Sequence, residues 1–254
     1  MRLDMHCHCK YGSIDSRITV SEYAKKLKSK GFDGMLVTDH DSYRAYNIWK
    51  KNNPNGIDNF KIFKGVEYDT VDAGHFIVIM PEGIQLKALS IRGMKIKTLV
   101  KVVHENGGIL GPAHPFGVRC SSAMFFRKLK RNPDLVLSFD FIEGFNTCEN
   151  RISNKLANNL AKEYDKPCTG GSDAHKEKYV STAYTVFANH LKDNDDLINA
   201  IKNNDITDFG GTERESTLSS KQMNAFYSIY GFLAYNKGLS LLYAPFRALS
   251  ISNI

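Results

Sequence analysis

The sequence predicts an α/β protein, a mostly parallel sheet closed or nearly closed into a barrel with helices outside it. Three observations lead there. Short apolar runs alternate with amphipathic helical stretches over most of the chain, the pattern of strand–helix–strand units. Histidines and carboxylates stand at or just past the ends of those runs, where barrels of this kind gather their chemistry. The length, 254 residues, suits one barrel or one domain with an appendage.

Each element has its own signal. Residues 2–8 open the chain as a strand. Val20–Lys30 carries a helical pattern that stops at Gly31, and Thr19 or Ser21 with Glu22 offers the capping signal. Gly34–Thr38 is a short apolar strand ending at Asp39 and His40, and Tyr43–Asn52 is a helix closed by Asn53 and Pro54. Lys61–Glu67 and His75–Met80 are strands joined by a polar turn around Asp72 and Gly74. Lys95–Glu105 is helical until Asn106, Gly107 and Gly108 end it. Ile109–Ala113 is a strand terminating in His114 and Pro115, and Leu135–Phe145 contains another that ends near Glu143. Arg151–Tyr164 is a helix, followed by a strand around Cys168 and the turn Gly170–Asp173. Ala183–Ala188 and Asp195–Asn203 supply the last strand and helix. Residues 1–205 thus read as one domain and 206–254 as an appendage, for which a helical pair packed on the barrel is the simplest reading. A dimer contact or a membrane-surface helix are its alternatives.

Composition sets the class. With 42% hydrophobic and 24% charged residues the chain is that of a soluble globular protein. A net charge of +7 could draw anionic substrates or nucleic acid. Many lysines, however, fall on helix faces, at Lys25, Lys26, Lys28 and Lys30 and at Lys95, Lys97 and Lys101, and read as solvated surface. Five cysteines without regular spacing, and no secretory leader ahead of the first strand, predict the cytoplasm. The longest uncharged stretch near the C-terminus, 222–236, is too short to span a bilayer.

Six of the eight histidines lie in short strand-like segments beside carboxylates: His6, His8, His40, His75, His114 and His175. Neutral imidazole and carboxylate are the ligands that borderline divalent metals prefer. Left unpaired in a core, each such group would cost roughly 1–3 kcal/mol. Alternation along a strand puts Asp4, His6 and His8 on one side and Met5, Cys7 and Cys9 on the other, so the thiols point into the packed layer. Glu67, on the strand adjoining His75, could bridge two ions. His104 and His190 lack this company and read as surface histidines.

The segments His6-Cys-His8, Thr38-Asp-His40-Asp41, Gly65-Val-Glu67, His114-Pro115 and Ser172-Asp173-Ala-His175 resemble, in order and spacing, the motifs of the PHP (polymerase and histidinol phosphatase) superfamily. The likeness runs from about residue 2 to 204 and leaves the tail uncovered. It implies a distorted seven-stranded (βα) TIM-like barrel holding two or three divalent ions, zinc, manganese or iron. By that resemblance His6, His8, Glu67 and Asp173 hold a first ion, Glu67, His75 and His114 a second, and Asp15, His40 and His175 a third. Asp15 matches a Tyr-x-x-x-Asp-Ser pattern in which other members use histidine. Position 75 also varies, some members carrying a carboxylate there.

A cytoplasmic phosphoesterase is the implied activity. A metal-bridging hydroxide, held through Glu67, Asp173 and His40, would attack the phosphorus of a small phosphorylated substrate or a short nucleic acid. No Cys-x5-Arg loop or Asp-x-Asp signature offers a protein nucleophile. Asp39 and Asp41 either orient imidazoles or cap the following helix. Arg119, shortly after His114 and Pro115, and Arg44 are the expected substrate-binding cations, while Glu143 and Asn146 fall on the same rim. The alternative is a metal-binding PHP module serving nucleic-acid metabolism as a proofreading exonuclease or a non-catalytic partner.

Overall fold

Apolar runs bounded by glycine and polar turns become strands, and among the described residues these fall into two ladders. The structure, a computed structural model, describes residues 1–117, 122–125, 127–214, 231, 234–235 and 238–252. One ladder contains β1 (Arg2–Cys7), β2 (Gly34–Val37), β3 (Lys61–Thr70), β4 (Gly74–Ile79), β5 (Ile109–Pro112), β8 (Ala183–Phe187) and β9 (Ile206–Gly211). Their order is β5-β4-β3-β2-β1-β8-β9, while β6 (Ile142–Asn146) and β7 (Cys168–Gly171) pair with each other.

The sheet is mixed, not mostly parallel as expected. β1–β2, β2–β3 and β6–β7 are parallel, whereas β3–β4, β4–β5, β1–β8 and β8–β9 are antiparallel. Connection length explains one reversal: the turn at 71–73 cannot carry the crossover that a parallel pair requires, so β3 and β4 form a hairpin. The result is a curled half-barrel: the seven-stranded ladder and the β6–β7 pair do not join into one closed barrel by strand pairing among the described residues. The β6–β7 pair leans across its open side through single bonds, Asp140 N–H to Leu110 O (2.9 Å) and Asp173 N–H to His6 O (2.9 Å). β9 carries the main sheet to Gly211, past the boundary expected at residue 205.

Helices cover the outside. α1 (Val20–Ser29) starts at a full capping box, Thr19 and Glu22 each satisfying the other's backbone N–H. With α2 (Arg44–Asn52) it buries Tyr23, Leu27 and Trp49 against Cys7, Cys9, Met35 and Val37. Neither Asp39 nor Asp41 caps α2, whose N-cap is Tyr43 without a side-chain bond. Inside the curl, Leu3, Met5, Leu36, Phe63, Ile77 and Phe141 pack together with Leu197 and Ile201 of α6 (Asn194–Lys202). The third cluster joins Val66, Phe76 and Val78 to α3 (Ile96–Glu105) and to Ala157 and Leu160 of α5 (Arg151–Glu163). A short α4 (Arg127–Arg131) precedes a two-turn 3-10 helix, Pro133–Ser138, where part of the expected strand run 135–145 begins. The closing helix, α7 (Ala244–Ser252), reaches the loop at Arg92 through Arg247, which donates to the Arg92 carbonyl. Its expected partner helix lies largely outside the described residues. Among the described residues no helix is long and apolar enough to cross a membrane.

Candidate metal centre

A β-bulge shapes the first motif. Asp4 pairs with Met35 but Cys7 with Val37, so the alternation slips between them. Asp4 therefore parts from His6 and His8, correcting the expected shared face. It turns toward α1 and accepts from Ser172 Oγ (2.6 Å), Ser172 N (2.9 Å) and Tyr23 Oη (3.1 Å). Burial pushes its carboxyl up to about 6, against the pull of those bonds. His6 and His8 point inward, Nε2 to Nε2 at 3.0 Å.

Around them the strand ends converge on Glu67 of β3. Its Oε1 lies 3.0 Å from His75 Nδ1 and 2.9 Å from His114 Nε2. Its Oε2 lies 2.9 Å from His40 Nδ1, 3.3 Å from His8 Nε2 and 3.6 Å from His6 Nε2. Asp173, at the turn after β7, places Oδ1 3.2 Å from His8 Nε2 and 3.5 Å from His175 Nδ1. Asp15 completes the rim, 3.1 Å from His175 Nε2 and 3.9 Å from His40 Nε2. All nine expected ligands gather in this one pocket. Three trios bring their ligand atoms within 4.8 Å of one another: His6/His8/Glu67, His40/Glu67/His75 and His8/His40/His175.

The hydrogen-bond pattern tests whether ions fit. His6 Nδ1–H donates to Glu143 Oε1 (2.8 Å). Ser13 gives its one proton to Asp39 (2.8 Å), so His8 Nδ1–H donates to Ser13 Oγ (2.9 Å). These assigned tautomers turn two Nε2 lone pairs toward each other, an arrangement that a metal ion between them, or a proton on one ring, would relieve. Glu67 Oε2 is buried and accepts no hydrogen bond, although three imidazole nitrogens surround it. Imidazole nitrogens and carboxylate oxygens at these separations fit divalent ions.

The field in the pocket is anionic. Burial opposes charge on Glu67, but His75, His40 and His6 outweigh it and hold the carboxyl well below its usual range. Asp173 is likewise held low, because His6 and His8 overcome its burial. Burial also opposes charge on His6, yet Glu143, Asp173 and Glu67 raise it well above an ordinary imidazole. Burial, then His175 and His40, push His8 down. At the rim, burial works against the His175–Asp15 pair, but their mutual bond takes His175 to about 9 and Asp15 to about 2. Such a pocket takes up positive charge, whether protons or ions.

Several supporting groups were not among the expected ligands. Ser13 accepts from the outer nitrogen of His8, and Ser122 Oγ meets the outer nitrogen of His114 at 3.2 Å. Asp69 Oδ1 meets His75 Nε2 (3.1 Å), and its other oxygen pairs with Arg92. Asp69 was legible in principle, two residues beyond Glu67 on one strand; the serines had no local signal. Glu143 holds two ligands at once, since its Oε2 accepts the His114 backbone N–H (2.6 Å). Asp39 binds the Cys9 N–H (2.6 Å) and Ser13, while Asp41 binds the Asp69 N–H (2.9 Å) and faces Arg92. Of the expected substrate cations, Arg44 is exposed at the start of α2 and makes no ion pair among the described residues. Arg119 lies outside the described residues.

A family described as PHP-associated matches residues 151–206. Crystal structures share the fold. PsfC from Pseudomonas syringae PB-5123 superposes with a TM-score of 0.62 at 16% identity, covering 94% of this chain and 98% of its own. A putative metal-dependent phosphoesterase from Bifidobacterium adolescentis gives 0.57 at 14% identity, covering 80% and 96%. Endonuclease Q in complex with a 27-mer duplex carrying an abasic lesion at the active site gives 0.60 at 17% identity, covering 80% of this chain but 56% of that one. No curated protein matches significantly. The resemblance read from the motifs therefore holds at the level of fold: this chain has the architecture of PHP-like metal-dependent phosphoesterases.

Proposed function

We propose that the chain is a metal-dependent phosphoesterase that hydrolyses a phosphate ester of a metabolite, a nucleoside or a short oligonucleotide. One observation carries the reading: Glu67 stands between imidazoles on both of its oxygens, the disposition of a carboxylate shared by two ions. His6, His8, Glu67 and Asp173 would hold the first ion, and Glu67, His75 and His114 the second. Asp15, His40 and His175 would hold a third. Zinc, manganese and iron all suit these donors. Divalent ions there would acidify water toward neutrality and neutralise charge developing on phosphoryl oxygens.

The chain's own groups prepare the site. Glu143 and Ser13 fix the His6 and His8 tautomers, keeping both Nε2 lone pairs directed inward. Asn146 Nδ2 bridges Glu143 (3.1 Å) and Asp173 (3.3 Å), holding both carboxylates in place. His175, His40 and Asp15 form the solvent-facing edge, the side on which substrate would enter. Buried free thiols at Cys7 and Cys9 suit a reducing cytoplasm.

The likeness to endonuclease Q supports a second reading, in which the scissile phosphate lies in a nucleic-acid backbone. Hydrolysis of phosphomonoesters, nucleoside bisphosphates and short oligonucleotides, after reconstitution with each metal, separates the two. Turnover of oligonucleotides alone would favour the nuclease. No turnover of any phosphate ester with any metal would refute both.

A further inference from the structure

The chain after β9 returns to the metal centre and delivers an arginine that neither the motifs nor the fold comparison points to. Thr212 N–H donates to Thr182 O (2.7 Å) and Arg214 N–H to Thr147 O (3.1 Å), pinning the segment across the ends of β8 and β6. The Arg214 guanidinium then lies 3.8 Å from the Tyr179 ring centroid. Its Nη2 donates to the main-chain carbonyl of Asp173 at 3.1 Å. His175 Nδ1 meets that same carbonyl, also at 3.1 Å. The cation therefore sits beside two expected metal ligands.

Among the described residues most of its hydrogen-bonding capacity is unused. A guanidinium carries five N–H donors in a planar fork, and the carbonyl of Asp173 takes one. Nε is buried without a partner, and Arg214 makes no ion pair among the described residues. Three acids of the neighbouring segments are engaged elsewhere: Asp15 with His175, the Asp173 carboxylate with His8, and Glu177 with Lys26. Lys178 Nζ lies 4.7 Å from the Tyr179 centroid. A bond from Lys178, with the charges of Arg214 and Lys176 beside it, draws the Tyr179 hydroxyl below the ordinary range, against a small opposing effect of burial. Arg214 and Lys178 thus share one ring, four residues beyond His175.

We propose that Arg214 binds a phosphoryl oxygen of the substrate, at an anion subsite that Lys176 and Lys178 complete beside His175. Stacking on Tyr179 and the bond to Asp173 hold the fork in one orientation before substrate arrives, which suits bidentate recognition of phosphate. The proposal deepens the phosphoesterase reading and rests on it. The phosphate could belong to a monoester or to a nucleic-acid backbone, and the test separates them.

Inorganic phosphate and, separately, a short oligothymidylate are titrated calorimetrically into metal-loaded wild-type protein, Arg214→Gln and Arg214→Lys, with bound metal counted in each. The glutamine variant should bind phosphate at least tenfold more weakly with its metal content unchanged. The lysine variant, which keeps the charge but loses the fork, should fall between. Weakening in the phosphate arm alone assigns a terminal phosphoryl group; weakening in both assigns a backbone phosphate. Wild-type affinity in Arg214→Gln overturns the subsite and leaves the phosphoesterase reading standing. A wild-type protein that binds neither probe overturns both.

Discussion

Glu143 shows how much of the site depends on a residue that touches no ligand atom facing the pocket. One oxygen fixes the His6 tautomer and the other holds the His114 backbone N–H. His114 has φ +31, and Asp41 and Asp173 also lie in the left-handed region, at +45 and +49. Such backbone costs of order 1–3 kcal/mol per residue and persists only where neighbours over-determine it. Glu143→Gln replaces the acceptor facing His6 with an amide that can present the wrong end. Metal affinity, read by competition with a chromogenic chelator, should fall about 10–100-fold while the circular dichroism stays native. His8→Ala and Asp173→Ala should abolish hydrolysis with the fold intact; unchanged turnover in either would remove the central assignment. The ligands themselves were legible because paired histidines and acids at strand ends are unusual in a core. Ser13 and Ser122 were not, since a serine acquires its role here only from the imidazole that the fold sets against it.

At the scale of elements, the sequence predicted most strands and helices by apolar period and glycine stops, but not the pairing between them. The parallel expectation failed at β3–β4 because the turn at 71–73 leaves room only for a hairpin, while three further antiparallel pairs had no such local signal. The common face for Asp4, His6 and His8 failed because a bulge adds a residue that no apolar pattern announces. Beside that bulge β1 lies close to β7, and Gly171 marks the contact. A Cβ there would meet His6 Cβ at 2.2 Å and Glu143 Oε1 at 2.8 Å. Gly171→Ala should therefore lower stability by about 1–3 kcal/mol through overpacking and weaken metal binding as well. Thr19→Ala is the control, because it removes the α1 capping box, whose partners Thr19 and Glu22 touch none of the expected ligands. It should cost about 1 kcal/mol in denaturant titration and leave metal affinity unchanged. At the start of β7, burial pushes the Cys168 thiol up to about 12, with Lys162 only partly opposing it. Iodoacetamide at pH 8 should leave Cys168 unmodified in the native protein, since the thiolate is the reactive form. Rapid native-state alkylation there would contradict the packing of β7 against β6.

For the whole molecule, the centre is a stability problem as well as a chemical one. Glu67, Asp173, His6 and His8 converge in the interior from β3, the turn after β7, and β1, and each is buried. Without ions their mutual compensation depends on protons shared among groups whose preferences conflict: the anions raise His6, while burial and neighbouring imidazoles lower His8. Ions that bind the folded pocket and not the open chain stabilise by mass action, about 4 kcal/mol at a thousandfold excess over the dissociation constant. For a chain of this size each kilocalorie moves the melting temperature by about 2–4 °C. Stripping metal with EDTA should therefore lower the midpoint by about 10 °C, and added zinc or manganese should restore it. His8→Ala, which removes a nitrogen common to two of the ligand trios, should lose most of that metal-dependent gain. A wild-type melting curve indifferent to chelator and to added ions would mean that the converging acids and imidazoles satisfy one another through protons alone. The lone-pair geometry between His6 and His8 would then need a proton between the rings, and the phosphoesterase reading would lose its physical basis.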